Sequence, residues 1–449
     1  MMIELLKYAE SQGASFADIR GYNIKTLTLI STENRDIITN YGNSIGYNIR
    51  VLYNGNWGYS SVSREPTRED IINAIKSSIG DEKVNIAFLP QKRDKVKISQ
   101  KIPITKTPQE ILLDIKKLKN TIVNSERSIK SITVRYYQVE QRKEYYSSED
   151  REIEQEYTLS GLSVSVVARE GDKIVSAYNS VATYLGYPIE FFDMNDFIEI
   201  IIKRVKNQLK GIIPKSGEFP VVLAPDVSGV FAHEALGHLA EADLAVNGIL
   251  GKIRGKKITR DFVSVSDSPN PNHPEAIGIT IYDDEGVEGR TVNIVENGIV
   301  KEFLNDRFYS AYLGLKPSGN GRAEDFRSNI LIRMRNTYFN PGTFKYEELF
   351  EGIKEGYYMV SVLGGQTNID GTFQFGIQEG YRIVNGEIRE PLRNVGIAGY
   401  TIETLSQITR ISKDIEFKPG YCGKSGQSVP VGTGGPYVRV ERMKVGGIA

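Results

Sequence analysis

The spacing of apolar residues predicts alternating helices and strands in the first half of the chain. Four segments are predicted to be helices, the last with a one-sided apolar stripe: 3–12, 70–79, 108–124 and 194–210. Alternating stretches rich in Ile, Thr and Tyr over 17–62 and 130–182 predict strands, and Asn54-Gly55 predicts a hairpin turn within the first stretch. The Lys- and Pro-rich segment 90–107 is predicted to be a connector.

The second half of the chain begins after a predicted linker and is predicted to be rich in strands. Residues 211–217 have the composition of a linker, and the apolar run 220–224 predicts a buried strand. Asp226 is a candidate N-cap for the helix that follows. These segments predict an α+β fold with two domains. The first, 1–212, is an N-terminal α/β domain with mainly antiparallel strands, and the second, 213–449, is a β-rich C-terminal domain.

Charge and cysteine content restrict the class of protein. Lys and Arg together number 56, as do Asp and Glu, so the net charge of zero favours neither nucleic acid nor an anionic membrane as a partner. One cysteine excludes an intrachain disulfide and is typical of a reducing compartment. The charged N-terminal segment does not resemble a signal peptide, and no apolar run reaches the roughly 18 residues of a membrane span. We therefore expect a cytoplasmic protein without a membrane span.

Two of the three histidines lie in one motif, Phe231-Ala-His-Glu-Ala-Leu-Gly-His-Leu-Ala-Glu241. Neutral imidazole is the commonest protein ligand for a divalent transition metal, and a carboxylate beside such a metal can act as a general base. His233 and His238 are therefore candidate metal ligands, and Glu234 is a candidate base. The helix predicted after Asp226 becomes the metal-binding helix of the C-terminal domain.

The two histidines are one residue further apart than in the His-Glu-x-x-His motif of zinc proteases. Positions five apart on a regular α-helix lie about 140° from each other around the axis, so the two rings could not easily reach one ion. The segment 233–238 is therefore predicted to contain an i→i+5 turn or a break. Gly237 is the residue type that tolerates such a departure from helical geometry.

A catalytic zinc site usually has three protein ligands and one open position, so a third ligand is expected. The candidates are Glu241, Asp243, His273 and Cys422. Glu241 could be a ligand or could orient His238, three positions before it. His273 lies in a Pro- and Asn-rich turn and is predicted to be structural. Lys424 could help to lower the pKa of the Cys422 thiol, whereas the alternative for a lone cysteine is an inert buried side chain.

Several motifs resemble those of the TldD/PmbA family of metalloproteases, in matching order and spacing over about the whole C-terminal half. The N-terminal half matches more loosely, through Gly13-Ala-Ser-Phe-Ala-Asp-Ile-Arg20 and Asn56-Trp-Gly-Tyr59. The C-terminal motifs are His233-Glu-Ala-Leu-Gly-His-Leu-Ala-Glu-Ala-Asp243, Ile281-Tyr-Asp-Asp-Glu-Gly286, Glu296-Asn-Gly-Ile-Val-Lys301, Ser318-Gly-Asn-Gly-Arg322, Arg335-Asn-Thr-Tyr338, Val360-Ser-Val-Leu-Gly-Gly365 and Cys422-Gly-Lys-Ser-Gly-Gln-Ser-Val-Pro-Val-Gly432.

The resemblance implies a zinc peptidase of the TldD type, the subunit that keeps the metal ligands. It implies that His233, His238 and Cys422 bind Zn²⁺ and that Glu234 is the general base. A His₂Cys set suits zinc, which accepts both nitrogen and sulfur ligands. The resemblance also implies that the protein hydrolyses peptides or unfolded polypeptides inside a dimeric enclosure. The dimer would be a homodimer or a heterodimer with a TldE/PmbA-like subunit that lacks the ligands.

Two other functions fit the same residues. The first is a non-catalytic peptide-binding or scaffold subunit with a structural metal, and four protein ligands would favour it. The second is a metal-dependent amidohydrolase that acts on non-peptide amides at the same site. A nucleotide-binding P-loop is a poor explanation of Gly423-Lys-Ser425, because the required glycine five residues earlier is replaced by Lys418.

Overall fold

The strands of the N-terminal half form one sheet with the order β3-β2-β1-β5-β6-β4, and β7 pairs with the far part of β6. The structure is a computed structural model that describes residues 1–80 and 83–447. The strands are β1 (Phe16–Thr32), β2 (Asp36–Tyr53), β3 (Asn56–Val62), β4 (Lys92–Lys97), β5 (Ile129–Ser147), β6 (Arg151–Glu170) and β7 (Lys173–Thr183). Four pairs of consecutive strands form antiparallel hairpins, as the alternating pattern predicted: β1 with β2, β2 with β3, β5 with β6, and β6 with β7. Asn54 and Gly55 form the predicted turn between β2 and β3, both with positive φ.

The predicted helices of this half are present, with boundaries shifted by up to three residues. The helices are α1 (Met2–Ser11), α2 (Arg68–Lys76), α3 (Pro108–Ser125), α4 (Pro188–Phe191) and α5 (Met194–Lys210). The apolar faces of α3 and α5 pack on the part of the sheet formed by β1, β5, β6 and β7. Ile115 and Ile201 are fully buried there, in the same hydrophobic cluster as strand residues such as Val134. For α5, the one-sided apolar stripe therefore predicted both the helix and the face that it buries.

The prediction of an irregular connector over 90–107 is wrong in part, because β4 lies within it. This strand pairs in parallel with the start of β6. Ion pairs accompany the pairing, with Lys95 Nζ 2.7 Å from Glu154 and Lys97 Nζ 3.5 Å from Glu156. The strand is mostly exposed and almost free of apolar residues. Hydrophobic alternation could not reveal a strand whose side-chain contacts across the ladder are ionic.

The C-terminal half contains two larger sheets and a short two-stranded one. Its strands are β8 (Gly217–Leu223), β9 (Val265–Ser268), β10 (Val292–Glu296), β11 (Ile299–Val300), β12 (Gly321–Arg322), β13 (Leu331–Ile332), β14 (Asn336–Phe339), β15 (Glu355–Thr367), β16 (Thr372–Val384), β17 (Glu387–Pro391), β18 (Val395–Tyr400), β19 (Ile408–Ile411), β20 (Glu416–Lys424), β21 (Gln427–Gly435) and β22 (Val438–Gly447). One sheet has the order β11-β10-β9-β14-β21-β20. The other, β15-β8-β22-β18-β16, closes on itself because β15 also pairs with β16.

One helix of the C-terminal half, α6 (Pro225–Ala232), lies between the closed sheet and the sheet that contains β14, β20 and β21. The helices are α6 (Pro225–Ala232), α7 (Ala242–Ala245), α8 (Ile249–Lys252), α9 (Arg307–Leu313) and α10 (Thr401–Ser406), with single 3₁₀ turns at His238–Ala240 and Glu347–Leu349. Phe231 of α6 contacts Phe339 of one sheet and Phe373 of the other, with ring centroids 5.8 and 5.1 Å apart. The hydrophobic core of this half therefore surrounds the helix that leads into the histidine motif.

The prediction that Asp226 is the N-cap of α6 is wrong by two positions. The N-cap is Ala224, and Pro225 is the first helical residue. Asp226 instead accepts a hydrogen bond from Ser361 Oγ at 2.5 Å and from the backbone N–H of Val362 at 3.4 Å. Proline at the first helical position provides the start signal that we had assigned to the aspartate.

A buried ionic network joins the two halves of the chain. Arg50 of β2 contacts Asp18 at 2.6 Å and Glu285 of the C-terminal half at 2.9 Å. Lys143 contacts Asp284 at 3.0 Å across the same junction. Breaking such a pair leaves a buried charge without its partner, which costs about 3–5 kcal/mol. The boundary at 212/213 stays a prediction, but the strands of the first sheet do lie before it, and β8 to β22 lie after it.

Candidate metal centre

The histidine motif departs from α-helical geometry as the spacing predicted. Residues His233–Gly237 form a π-helical turn directly after α6, and the N–H of His238 donates to the carbonyl of His233. A 3₁₀ turn follows at His238–Ala240. The wider turn places the two imidazoles on the same side, with ring centroids 5.2 Å apart and planes nearly perpendicular. The predicted i→i+5 turn is thus confirmed.

The reason that we gave for glycine at position 237 is wrong. Gly237 has φ −58° and ψ −55°, which any residue adopts in a helix. A Cβ atom at this position would lie 1.9 Å from Sδ of Met334, and Met334 is itself fully buried. Close packing therefore favours glycine here, and the conformational freedom of glycine is not used.

A second close approach fixes α6 against β21. A Cβ atom on Gly229 would lie 2.1 Å from the backbone nitrogen of Gly434, so the helix and the strand pack with no side chain between them. Because β20 and β21 are paired along their whole length, this contact also fixes α6 relative to β20. The helix that leads to the histidines is therefore held close to the strand that contains Cys422.

The structure brings Cys422 to the two histidines, from a position almost two hundred residues later in the chain. Its Sγ lies 3.5 Å from His238 Nε2, and one donor atom from each of His233, His238 and Cys422 lies within 4.8 Å of the others. For tetrahedral zinc with Zn–N of about 2.1 Å and Zn–S of about 2.3 Å, the N···S separation is about 3.6 Å. The separation of Cys422 and His238 therefore fits two ligands of one zinc ion, and His233 provides a donor within reach of both.

Burial and hydrogen bonding agree with a metal-binding role for these side chains. Cys422 and His233 are buried, and among the described residues Nδ1 of His233 has no hydrogen-bond partner. A buried polar nitrogen without a partner is costly unless it binds something else. The three residues therefore provide soft and borderline donors in an enclosed site.

The ionisation of the cluster favours a thiolate. Burial raises the pKa of Cys422, but hydrogen bonds and charge from His233 and His238 outweigh it and lower the pKa to about 5. Burial lowers the pKa of His238, while contacts with Cys422 and Glu241 raise it to about 10. These two shifts favour thiolate and imidazolium in the metal-free pair, and a metal ion would replace a proton on binding. The groups that lower the pKa of Cys422 are therefore the histidines, and not Lys424 as we had expected. Lys424 contacts carboxylates instead.

The other candidate ligands lie outside the donor cluster. Glu241 contacts His238 Nδ1 at 3.2 Å, on the side of the ring opposite Cys422. Asp243 accepts from Lys424 Nζ at 2.9 Å. His273 packs its ring against Phe417, and its Nδ1 accepts from the N–H of Glu275, in line with the predicted structural role.

Glu234 faces a cleft of about 530 Å³ between the N-terminal sheet and the C-terminal half. Burial raises its pKa, and the charges of His233 and His238 oppose that rise. A raised pKa suits a group that must accept a proton and then return it near neutral pH. The structure therefore places a half-buried carboxylate next to the donor cluster and open to the cleft.

The opposite wall of the cleft comes from residues that the sequence analysis missed. Tyr137 of β5 and Tyr178 of β7 line it together with Tyr421 of β20, and the rings of Tyr137 and Tyr421 are 6.1 Å apart. Arg135, also on β5, is exposed at the cleft and lies over the Tyr137 ring. The alternating pattern placed these residues on strands, but no motif indicated that the N-terminal sheet contributes to the site.

The run Gly423-Lys-Ser425 lies in a hairpin and not before a helix. Lys424 pairs with Gln427, and Ser425 and Gly426 form a two-residue turn with φ of 50° and 77°. A P-loop needs a helix after its glycine-rich turn, where backbone N–H groups bind phosphate. The structure therefore agrees with our rejection of a P-loop.

Among the described residues, no helix is long and apolar enough to cross a membrane.

Models of one protein family match most of the chain. The PmbA/TldA metallopeptidase C-terminal domain matches residues 216–447, the central domain matches 94–211, and domain 1 matches 17–80. The first of these includes the histidine motif and Cys422. The donor cluster and the cleft thus lie within regions that the family models describe.

Individual relatives agree with the family models. The chain is 50% identical over 446 residues to the zinc metalloprotease TldD homolog of Saccharolobus solfataricus, covering 99% of this chain and 100% of that protein. It is 36% identical over 446 residues to a metalloprotease of Methanothermobacter thermautotrophicus, covering 96% and 95%. Both matches extend across the N-terminal half, where the motifs were weakest.

A solved structure has the same fold. The crystal structure of TldE from Thermococcus kodakarensis superimposes with a TM-score of 0.78, covering 99% of this chain and 100% of that chain at 20% identity. Such low identity shows the fold alone. With family models that match both halves and a full-length relative at 50% identity, the chain belongs to the PmbA/TldD family of metallopeptidases.

Proposed function

We propose that the protein is a zinc-dependent peptidase in which His233, His238 and Cys422 bind Zn²⁺ and Glu234 is the general base. The observation that supports this most directly is the approach of the three donor atoms to within 4.8 Å, with Glu234 adjacent in sequence and open to the cleft. The family supports a metallopeptidase. The identity of the metal and the role of each residue are the proposal.

The roles of the residues follow from their chemistry. Zinc, when bound, would polarise a scissile carbonyl and lower the pKa of water. Glu234 would accept a proton from the attacking water and return it to the leaving amine. His238 would be held in one orientation by Glu241, since the contact at Nδ1 leaves Nε2 to face Cys422.

The form of the substrate is inferred from the cleft and from the strand at its edge. The pairing of β15 with β8 ends at Met359. Along the rest of β15, residues 360–367, no described strand pairs with the edge that β8 has left. Gly364 and Gly365 of this segment line the same cleft as Glu234. Because Val362 already uses its N–H and carbonyl in contacts within the chain, an extended peptide could add main-chain hydrogen bonds beyond this residue along β15, with little dependence on side chains.

The scaffold alternative receives less support than the enzyme. The donor cluster found among residues 1–80 and 83–447 has three donors, whereas a structural zinc site has four. Glu241, the nearest other carboxylate, contacts the far side of His238. The amidohydrolase alternative uses the same residues and differs only in the substrate, so the products must distinguish the two.

Removal of the metal is expected to abolish peptide hydrolysis, and zinc is expected to restore it. The physical reason is that Glu234 alone cannot stabilise the charge that develops on the carbonyl oxygen. The purified protein should contain about one zinc per chain by elemental analysis. A mixed peptide library would be incubated with the untreated protein, with protein stripped of metal by a chelator, and with stripped protein to which zinc has been returned. Mass spectrometry would identify the products.

The same experiment separates the alternatives. Zinc at one per chain with peptide-bond products supports the peptidase. Zinc that resists chelation, with no products, would favour the scaffold. Hydrolysis of simple non-peptide amides, while the peptides of the library remain uncleaved, would favour the amidohydrolase.

We also propose that the protein works in the cytosol as a dimer, either with itself or with a TldE-like subunit, and that the dimer encloses the cleft. A reducing compartment keeps Cys422, the only thiol, available as a ligand. The likeness to TldE supports a partner of the same fold. An enclosed cleft would admit extended chains and exclude folded domains.

The protein is therefore expected to cleave an unfolded polypeptide and to leave the folded form of the same polypeptide intact. A matched pair, such as a reduced and an oxidised disulfide-linked protein, keeps the sequence constant while the fold changes. Light scattering would give the oligomeric state of the protein alone and after mixing with a TldE-like chain. Equal cleavage of both substrates, or a monomer that is fully active, would contradict the enclosure.

A further inference from the structure

Lys424 connects two parts of the metal centre that are far apart in sequence. Its Nζ lies 3.0 Å from Oε2 of Glu241, 2.7 Å from Oδ2 and 2.9 Å from Oδ1 of Asp243, and 3.2 Å from the carbonyl of Ile332. An ammonium group has three hydrogens to donate, and this one has acceptors for all of them. The ammonium group of Lys424 is therefore fully hydrogen-bonded within the chain.

Both ends of this contact lead directly to proposed metal ligands. Lys424 follows Cys422 by two positions on β20, so the two side chains leave the strand on the same face. The same Oε2 of Glu241 that accepts from Lys424 also contacts His238 Nδ1 at 3.2 Å. One carboxylate oxygen thus joins the lysine of the cysteine strand to the imidazole of the histidine motif.

The contact is buried, which distinguishes it from an ordinary surface ion pair. The side chain of Glu241 is fully buried, and that of Lys424 is 12% exposed. Exposed pairs contribute about 0–1 kcal/mol and are easily rearranged. A buried carboxylate that loses its cation is left uncompensated. Oε1 of Glu241 has no partner among the described residues, so Oε2 makes the contacts that fix this side chain.

We propose that Lys424 is a positioning residue for the metal centre: through Glu241 and Asp243 it fixes the hairpin that contains Cys422 against the segment that contains His238. This proposal rests on the proposed zinc site. Lys424 touches neither the substrate nor the metal in this role. It sets the distance between a thiolate and an imidazole that no covalent element of the fold connects directly. The residue type is specific, because a cation is needed between two carboxylates.

Loss of this contact should weaken zinc binding without removing a ligand. Mutation of groups that orient metal ligands typically costs about 10- to 100-fold in metal affinity. We therefore expect Lys424→Met to release zinc at about 10- to 100-fold lower concentration of a competing chelator. In the cobalt-substituted protein, the thiolate-to-cobalt absorption band should change in intensity and position, because the geometry of Cys422 and His238 changes.

Lys106→Met is the matched control. Lys106 also joins two carboxylates, at 2.6 Å from Asp114 and 3.0 Å from Glu190, but it lies in the N-terminal half. This control removes a lysine between two carboxylates at a more exposed site, with the Lys106 side chain 32% exposed, where no proposed metal ligand is involved. Its zinc affinity and cobalt spectrum should match the wild type, even if its thermal unfolding temperature falls.

The outcomes distinguish this inference from the proposed function. Wild-type zinc affinity and cobalt spectrum in Lys424→Met would overturn the positioning role, as would an equal loss of affinity in Lys106→Met. If Lys424→Met does not fold, Asp243→Asn removes one acceptor and should show a smaller change in the same direction. An unchanged Asp243→Asn would then overturn the inference. A wild-type protein that binds no zinc would instead contradict the metal site itself.

Discussion

Glu234→Gln is expected to lower the turnover number for peptide hydrolysis by about a hundredfold or more, since general base catalysis contributes roughly 10²- to 10⁴-fold. Glutamine keeps the size of glutamate and can still accept a hydrogen bond, but it cannot take a proton from water. Glu234 lies outside the donor cluster, so the variant should keep its zinc. The measurement is the initial rate on one peptide at equal zinc occupancy.

A second glutamate provides the control for this experiment. Glu199 is exposed on α5, away from the cleft residues, so Glu199→Gln should keep the wild-type rate. The pH dependence adds a further test. Without a metal, burial raises the pKa of Glu234, and a bound cation would oppose that rise. A rate that falls with acid at a higher pH than for an ordinary carboxyl group would show that burial dominates. Substantial turnover by Glu234→Gln would assign the base role to another residue or favour the scaffold subunit.

The fold was most predictable where secondary structure has a regular hydrophobic period. The stripe at 194–210 predicted α5 with its observed boundaries, and Asn54-Gly55 predicted the turn between β2 and β3. Segment 92–97 has no such period, because its strand is paired through charged side chains. Periodicity detects burial, and it fails where an edge strand is held by ion pairs.

The only part of the metal centre that could be predicted was the part whose geometry follows from the spacing of residues along the chain. Five-residue spacing on a helix left few alternatives, and the π-helical turn at His233–Gly237 was one of them. The reason for Gly237 depends on Met334, almost one hundred residues away, and no local pattern contains that information. The cleft tyrosines and the contacts of Lys424 depend on the tertiary fold in the same way. The sequence contained one indication for Lys424. It lies two positions after Cys422, and side chains two positions apart on a strand point to the same face.

The role of Cys422 is the part of the site with the largest consequence for metal binding. From the residues alone, Cys422 was one of several candidate third ligands, and the family resemblance favoured it. The structure places its Sγ 3.5 Å from His238 Nε2, close to the separation expected for two ligands of one zinc ion. The three donors approach one another closely enough to share one metal ion. A change at the sulfur atom tests that directly.

Cys422→Ser is expected to lower zinc affinity by about a hundredfold or more, on the basis that each ligand contributes about 3 kcal/mol to a zinc site. A neutral hydroxyl is a much weaker donor than a thiolate, and the two histidines lower the pKa of this thiol to about 5, which favours the thiolate. Competition with a chelator would measure the affinity, and activity at saturating zinc would measure what remains of catalysis.

Cys422→Ala separates the loss of a ligand from a change in packing. Cys422 is buried against the hydrophobic core, so alanine keeps the apolar character that serine lacks. Both variants lose the thiolate and should lose zinc affinity to a similar extent, whereas a packing effect would be larger for serine. Full zinc occupancy in both variants would mean that the third ligand lies elsewhere. Glu241 would then be the next candidate, and it would have to give up its contacts with Lys424 and with the far side of His238 to reach the metal.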